Sequence, residues 1–174
     1  MRDTELEIRV ASLDDAGSLA TLAARTFRDT YPPLDECGDL EEYISLNFAP
    51  ARIAADIRDP ASSTFLAFVG GEPVGYAALR TGPAPECVHA ASPMELVRLY
   101  VLQGTIGTGC GSALMQACLE EQKRLGCDAI WLGVWDQNVR ACSFYEKWGF
   151  SRAGTCPFVL GEMQFEDIVM VRQS

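Results

Sequence analysis

The sequence predicts a single α/β domain built on a central mixed, mostly antiparallel β-sheet. Three observations carry this reading. Strand-like and helix-like stretches alternate along the chain, hairpin signals occur towards both ends, and in the middle a buried strand runs through a glycine-rich loop into a helix. A length of 174 residues suits one domain spanning 1–174, and a 48% hydrophobic content supplies a sizeable core. No repeat, linker or low-complexity segment divides the chain.

Taken in order, Glu5–Ala11 alternates polar and apolar, as a half-buried first strand would. Ser12 with Asp14 and Asp15 reads as a helix start, and the helix expected over about 16–30 places Leu19, Leu22, Ala23 and Phe27 on one face. Pro32-Pro33 forbids its continuation. From Asp35 to Arg58 the chain is acidic and interrupted, with Glu41, Glu42 and Tyr43, and a short helix is expected near 50–57. Thr64–Val69 and Pro73–Leu79 form a hairpin across Gly70-Gly71, which can supply the positive φ angles of a two-residue turn. A loop over 81–92 leads to the central strand, starting at Pro93. Beyond the glycine loop a helix reaches about Leu125 and is capped by Gly126. Asp128–Val134 is then a second buried strand, parallel to the central one because a helix connects them. A further helix over about 138–148 stops at Gly149, and strand-like stretches near 150–154 and 166–172 close the chain, with Gly161 at their turn.

The stretch Met94–Met115 organises the rest. Its first part, Met-Glu-Leu-Val-Arg-Leu-Tyr-Val-Leu, is a β-favouring apolar run, followed by glycines at 104, 107, 109 and 111 and then by a helical pattern from Ser112. Missing Cβ atoms allow close approach of a ligand, while unpaired N–H groups and the helix dipole favour an anion such as phosphate. The loop is not a Walker motif, since no Gly-Lys-Ser/Thr ends it, and its spacing differs from Gly-x-Gly-x-x-Gly. A second ligand segment lies at Trp135–Phe150, with Asn138, Ala141, Phe144, Tyr145, Gly149 and Phe150 at set intervals.

This pair of segments resembles the two signature motifs of the GNAT superfamily of acetyl-CoA-dependent N-acetyltransferases. The resemblance covers nearly the whole chain and is strongest over 95–150. It implies the GNAT fold, with a splayed parallel strand pair and about four flanking helices. It also implies acetyl-CoA as co-substrate, direct transfer of the acetyl group, and a primary amine as acceptor. Gly107, Thr108, Gly109, Cys110, Gly111 and Ser112 would hold the pyrophosphate, mainly through backbone N–H groups. Leu99, Tyr100 and Val101 would pair with the pantetheine arm, one N–H meeting the thioester oxygen, and Asn138 would add an amide contact. The region between the first helix and second strand would shape the acceptor pocket. Thr26–Tyr31, Glu95–Val101 and Ile130–Trp135 look like the polyamine-acetylating bacterial branch. Peptide or protein N-acetylation is the alternative acceptor class, and a degenerate acyl-CoA-binding regulatory module is the alternative without catalysis.

Acetyl transfer requires a held cofactor, a polarised carbonyl, a deprotonated amine and a protonated leaving thiolate. Asn138 and Tyr145 are seven residues apart, within about 20° of one helical face. Tyr145 is the candidate general acid, and a buried structural phenol is the plainer reading. With ordinary pKa values of about 10 for a phenol and about 8.5 for a thiol, delivery to sulfur needs positioning or coupled transfer. Glu95 is the candidate base. It is one of two charges in its strand, and the period of two sets Arg98 on the opposite face. Burial would raise its pKa and a neighbouring cation would lower it; a strand-end salt bridge or an ordered water as base are the alternatives.

Two positions depart from the family pattern. Ile106 stands where the motif usually has Gln or Arg, unless Gln103 reaches in, and Thr108 replaces a frequent basic residue. The seven cysteines include no Cys-x-x-Cys pair, and with a lone His89 in a loop they argue against a zinc site and for reduced thiols in a cytoplasmic setting. Cys110 and Cys142 lie inside the motifs without a paired base and read as packing. A net charge of −10 disfavours nucleic acid and anionic membranes as partners and attracts cations, serving either solubility or substrate steering. No apolar run approaches the ~20 residues of a membrane span. The reading admits a homodimer.

Overall fold

The computed structural model describes residues 5–31 and 38–174, so the Pro32-Pro33 stop expected after the first helix lies outside the described residues. Among these residues the strands are β1 (Leu6–Val10), β2 (Ser62–Val69), β3 (Glu72–Thr81), β4 (Pro93–Val101), β5 (Ala129–Trp135), β6 (Ser151–Leu160) and β7 (Met163–Gln173). The α-helices are α1 (Ala16–Thr30), α2 (Asp39–Asn47), α3 (Pro50–Arg58), α4 (Cys110–Arg124) and α5 (Val139–Lys147). All strands join one sheet in the order β1-β2-β3-β4-β5-β7-β6, antiparallel everywhere except between β4 and β5.

Five helices stand where the sequence suggests about four. The additional one is α2, whose Leu40 and Ile44 share a buried face at a spacing of four. Asp39, Glu41 and Glu42 in its first turn suit the positive end of the helix dipole. The chain's end also holds more strand than expected. Pro157 lies inside β6, which is tolerated because β6 is the outermost strand and its free side requires no N–H donor.

Helices cover both faces. On one, Leu114, Met115 and Cys118 of α4 with Cys142 and Tyr145 of α5 pack on Met94, Leu96, Ile130 and Leu132. On the other, Leu19, Ala23 and Phe27 of α1, Leu40 and Ile44 of α2, and Ile53 of α3 pack on Leu66 and Tyr76. Further along this second face, Val88 from the loop before β4 covers Trp131 and Val169. Each such side chain fully buried contributes roughly 1.5–3 kcal/mol.

Two irregularities in β4 shape everything that follows. First, Ala78 opposes Arg98 while the next residue, Leu79, opposes Leu96, so Val97 is an extra residue bulged out of the ladder. Leu96 and Leu99 therefore pack into the same cluster although they are an odd three positions apart. Arg98 turns to the other face, 4.7 Å above the Phe48 ring, and shares Asp56 with Arg52 and Arg80. Strict alternation puts Arg98 opposite Glu95, but the bulge brings the two onto one face. Second, β4 pairs with β5 only from Pro93 to Glu95, against Ala129 to Trp131. Beyond that point β5 stays with β7 along its whole length while β4 stays with β3. The two parallel strands splay apart. Gly75 allows β3 to follow β4 here, since a Cβ on it would meet Val101 Cγ1 at 2.8 Å and the Tyr100 carbonyl oxygen at 3.0 Å.

Candidate active site

A cavity of about 410 Å³ occupies the gap opened by the splay. Its first wall is β4 from Leu96 to Val101, with Leu99, Tyr100 and Val101 all on it as expected. Among the described residues the β4 edge facing β5 has no strand partner over this stretch, so its backbone can pair with an extended, amide-bearing ligand as a neighbouring strand would.

The second wall is the glycine loop and the start of α4. Gly107 and Gly109 have φ of +82° and +92°, a conformation side-chain-bearing residues resist. The N–H groups of Cys110, Gly111 and Ser112 then stand in the first helical turn, before any intrahelical acceptor is available. Ala113 is the first to bond back, its N–H donating to the Gly109 carbonyl at 2.9 Å. Free donors and the positive helix end make an anion site. Gly107, Gly109, Gly111 and Ser112 lie on the wall. Thr108 does not: its side chain is exposed and donates to the Thr105 carbonyl at 2.7 Å. The Cys110 thiol is buried in the core, where burial raises its pKa, so Cys110 offers this site only its backbone. Ile106 faces the cavity with no polar group, and Gln103 is exposed and off the wall. A positive charge comes instead from Arg140 on α5, which is exposed, on the wall and without an ion pair among the described residues. The sequence reading passed over it because it looked for the cation inside the loop.

The third wall is α5. Tyr145 is wedged between Phe144 and Phe150, ring centres 5.5 and 5.7 Å away, and its hydroxyl bonds to no described residue. Burial pushes its pKa up, so the phenol holds its proton throughout the neutral range. Asn138 also lines the cavity, but as the N-cap of α5 rather than on its helical face: its Oδ1 accepts from the Ala141 N–H at 3.2 Å. Only its amide N–H₂ is left to face a ligand.

The fourth wall is aromatic. Tyr31, at the end of α1, sits 5.6 Å from the Trp135 ring and 6.5 Å from Phe158. Tyr43 extends this surface, 5.8 Å from Phe158. The Tyr100 phenol lies beside that of Tyr31, its pKa pushed up to about 12 by burial. Gly133, exposed on β5, leaves an opening in this surface. Just behind it is Asp167 of β7, whose Oδ2 would be 3.5 Å from a Cβ on Gly133. Its Oδ1 is shielded from solvent and has no hydrogen-bond partner among the described residues. Burial, with Asp136 adding to it, raises its pKa to about 6. Asp167 passed unnoticed in the sequence, although Phe165, Asp167, Val169 and Val171 share one face of β7 and the acid is the odd member.

Glu95 is half-buried on this same face but does not line the cavity. Burial raises its pKa while Arg80 and Arg98 pull it down. His89 is exposed and off the wall, and Cys142 is buried beneath α5. No cluster of metal-ligating side chains occurs among the described residues.

The model of the acetyltransferase (GNAT) family matches residues 22–150. The chain belongs to the GNAT family. An uncharacterized N-acetyltransferase of Mycobacterium tuberculosis (strain ATCC 25618 / H37Rv) is 38% identical over 161 residues, covering 92% of this chain and 99% of the relative. An uncharacterized N-acetyltransferase in the pepI 3′ region of Lactobacillus delbrueckii subsp. lactis is 25% identical over 167 residues, covering 96% of each. Among solved structures, the PaiA N-acetyltransferase from Thermoplasma acidophilum in complex with coenzyme A superposes with a TM-score of 0.79 at 21% identity, covering 98% of this chain and 99% of that one. Arabidopsis thaliana Naa50 in complex with the bisubstrate analogue CoA-Ac-MVNAL gives a TM-score of 0.68 at 21% identity, covering 97% and 99%.

As a GNAT member the protein is an acetyl-CoA-dependent N-acetyltransferase. Its cavity suits that co-substrate. The free β4 edge matches an arm bearing two amides, and the α4 N-terminus with Arg140 matches a pyrophosphate. No helix among the described residues is long and apolar enough to cross a membrane.

Proposed function

We propose that the acceptor is a small cationic primary amine of the polyamine class. One observation carries this: one end of the cavity is walled by the rings of Tyr31, Trp135 and Tyr100, with a carboxylate behind them whose Oδ1 has no partner among the described residues. Aromatic faces attract cations by about 0.5–2 kcal/mol each, and more when water is excluded. The net charge of −10 adds a long-range field of the same sense.

In this reading the N–H groups of Gly107 and of Gly109 through Ser112 hold the phosphates, and the free edge from Leu99 to Val101 aligns the arm with a backbone N–H at the thioester oxygen. The Asn138 amide donates to the arm. Tyr145 gives its proton to the leaving sulfur, and the shared apolar surroundings, which disfavour thiolate and phenolate alike, keep that transfer accessible. Glu95, the base expected from the sequence, stands one residue before the cavity wall begins, beside Arg80 and Arg98, and takes no part in this reading.

Thiol release from acetyl-CoA against a panel of amines tests the proposal: spermine, spermidine, simple diamines, amino acids and peptides with free N-termini. Saturable turnover with polyamines, weakening as salt rises, is expected. Turnover confined to peptides would replace the small-cation reading with N-terminal acetylation. Coenzyme A binding with no acceptor consumed would leave a regulatory acyl-CoA-binding module.

A further inference from the structure

We propose that Asp167 is the carboxylate that meets the acceptor nitrogen, binding its ammonium form at the aromatic end of the cavity and taking one proton from it. The inference rests on the small-cation reading above and adds the group that recognises the charge.

Position comes first. Asp167 pairs in register with Trp135 and Cys156 and shares with Phe165 and Val169 the face of the sheet that α1 and α2 cover; it is not itself part of the cavity lining but stands behind Gly133. Gly133, the cavity residue in front of it, has no side chain to close the path. Any larger residue there would place its Cβ in van der Waals contact with Asp167 and with Cys156 Sγ at 3.4 Å, narrowing the opening.

The second point is electrostatic. Other half-buried acids on this side of the sheet already have cations. Asp56 has Arg52, Arg80 and Arg98 within 3.3–3.7 Å, and Glu95 is acted on by Arg80 and Arg98. Asp167 is different. The groups that face it are Asp136 from the loop after β5, Tyr31 of α1, Tyr43 of α2, Tyr100 of β4 and Cys156 of β6. Among the described residues none of these is a cation, and its Oδ1 has no donor. A carboxylate oxygen left unpaired and withdrawn from water is costly, and what would relieve it is a positively charged hydrogen-bond donor arriving through the cavity. Its pKa near 6 also suits a base working at neutral pH.

The proton balance closes. An incoming ammonium carries three N–H protons. Asp167 takes one, and the freed lone pair forms the N–C bond to the acetyl carbon as the C–S bond breaks. Sulfur receives the Tyr145 proton, and the second nitrogen proton restores the phenol. The amide keeps the third, and Asp167 releases its own to solvent, one proton per turnover.

The test is kcat/KM against pH with the best acceptor of the panel, for the wild type, Asp167→Asn and Glu95→Gln. The wild type should lose activity below about pH 6, the free-enzyme value of the base, and Glu95→Gln should keep that limb. Asp167→Asn should lose the limb and fall by about 10²-fold or more, with coenzyme A affinity unchanged by calorimetry. Retention of the limb in Asp167→Asn, or activity within about threefold of the wild type, overturns the proposal. If only peptides turn over, the small-cation reading fails while the same profiles on a peptide acceptor still decide Asp167. If nothing turns over, or the Asn variant does not fold, carbon-13 titration of the Asp167 carboxyl in the wild-type protein saturated with coenzyme A decides it. Spermidine should lower its apparent pKa by about one unit or more through charge pairing, and no movement overturns the assignment.

Discussion

The two ends of the cavity are built on opposite plans. At the co-substrate end the contacts are largely backbone: a free strand edge and a helix N-terminus, contributed by one continuous stretch from Leu96 to Ser112. At the proposed acceptor end they are side chains from separate elements, with Tyr31 from the C-cap of α1, Tyr43 from α2, Trp135 from β5, Phe158 from β6 and Asp167 from β7. Backbone recognition tolerates substitution as long as the path of the chain is kept, which is why Ile106 and Thr108 can depart from the motif. Side-chain recognition can be redrawn one residue at a time, so acceptor choice can change while co-substrate use does not.

That contrast is open to attack by mutation. Tyr145→Phe, which touches only the chemistry between the two ends, should lower kcat by about 10²-fold or more and leave coenzyme A affinity in place. Single-turnover kinetics with calorimetry checks it, and unchanged turnover would remove the acid role. Gly109→Val should act on the co-substrate end through the main chain. Space around a Cβ there is open, so the cost is that of holding φ near +92° with a side chain, about 1–2 kcal/mol, or close to tenfold in coenzyme A affinity.

Asp167→Asn should stabilise the fold while it harms the reaction. The folded protein holds the Asp167 proton up to about pH 6, whereas the unfolded chain releases it near 3.8. Stability from this group therefore declines as pH rises from about 4 to about 6, and the full cost stands above that window. Discounted for partial exposure, the gain on removing it is about 1 kcal/mol, or about 3 °C in Tm at pH 7.5, shrinking to nothing at pH 4. Thermal melts at the two pH values check it, and equal shifts at both would contradict the linkage. The smallest effect is expected of Arg140→Ala, an exposed phosphate partner. It should weaken coenzyme A binding by about 0.5–1 kcal/mol at low salt and by less at high salt.

The same contrast explains what the sequence made legible. The glycine loop, the helix after it and Tyr145 are local patterns, since their partners lie within a few residues or one helical face. The extent of α1 and the parallel β4–β5 pair followed from periodicity and connection length in the same way. Three things did not. The Val97 bulge reverses which face Arg98 occupies, and it is fixed by register against β3 rather than by any residue near it. Helix α2 was hidden because its acids drew more notice than Leu40 and Ile44. Asp167 and the aromatic wall depend on strands and helices more than a hundred residues apart coming together, although an acid within the apolar face of β7 was a readable sign. The roles of Glu95 and Asp167 separate only in three dimensions, by which one has Arg80 and Arg98 beside it.

The early end of the β4–β5 pairing also bears on how long the molecule survives. Among the described residues only three pairs, Pro93–Glu95 with Ala129–Trp131, join the two halves of the sheet through its ladder, which makes a seam where opening breaks few hydrogen bonds. A co-substrate held on the β4 edge and α5 at once, as proposed above, would fasten that seam. By mass action, a hundredfold excess over its Kd adds about 2.7 kcal/mol to the folded state. Resistance to heat and to proteases should therefore rise and fall with the concentration of acetyl-CoA.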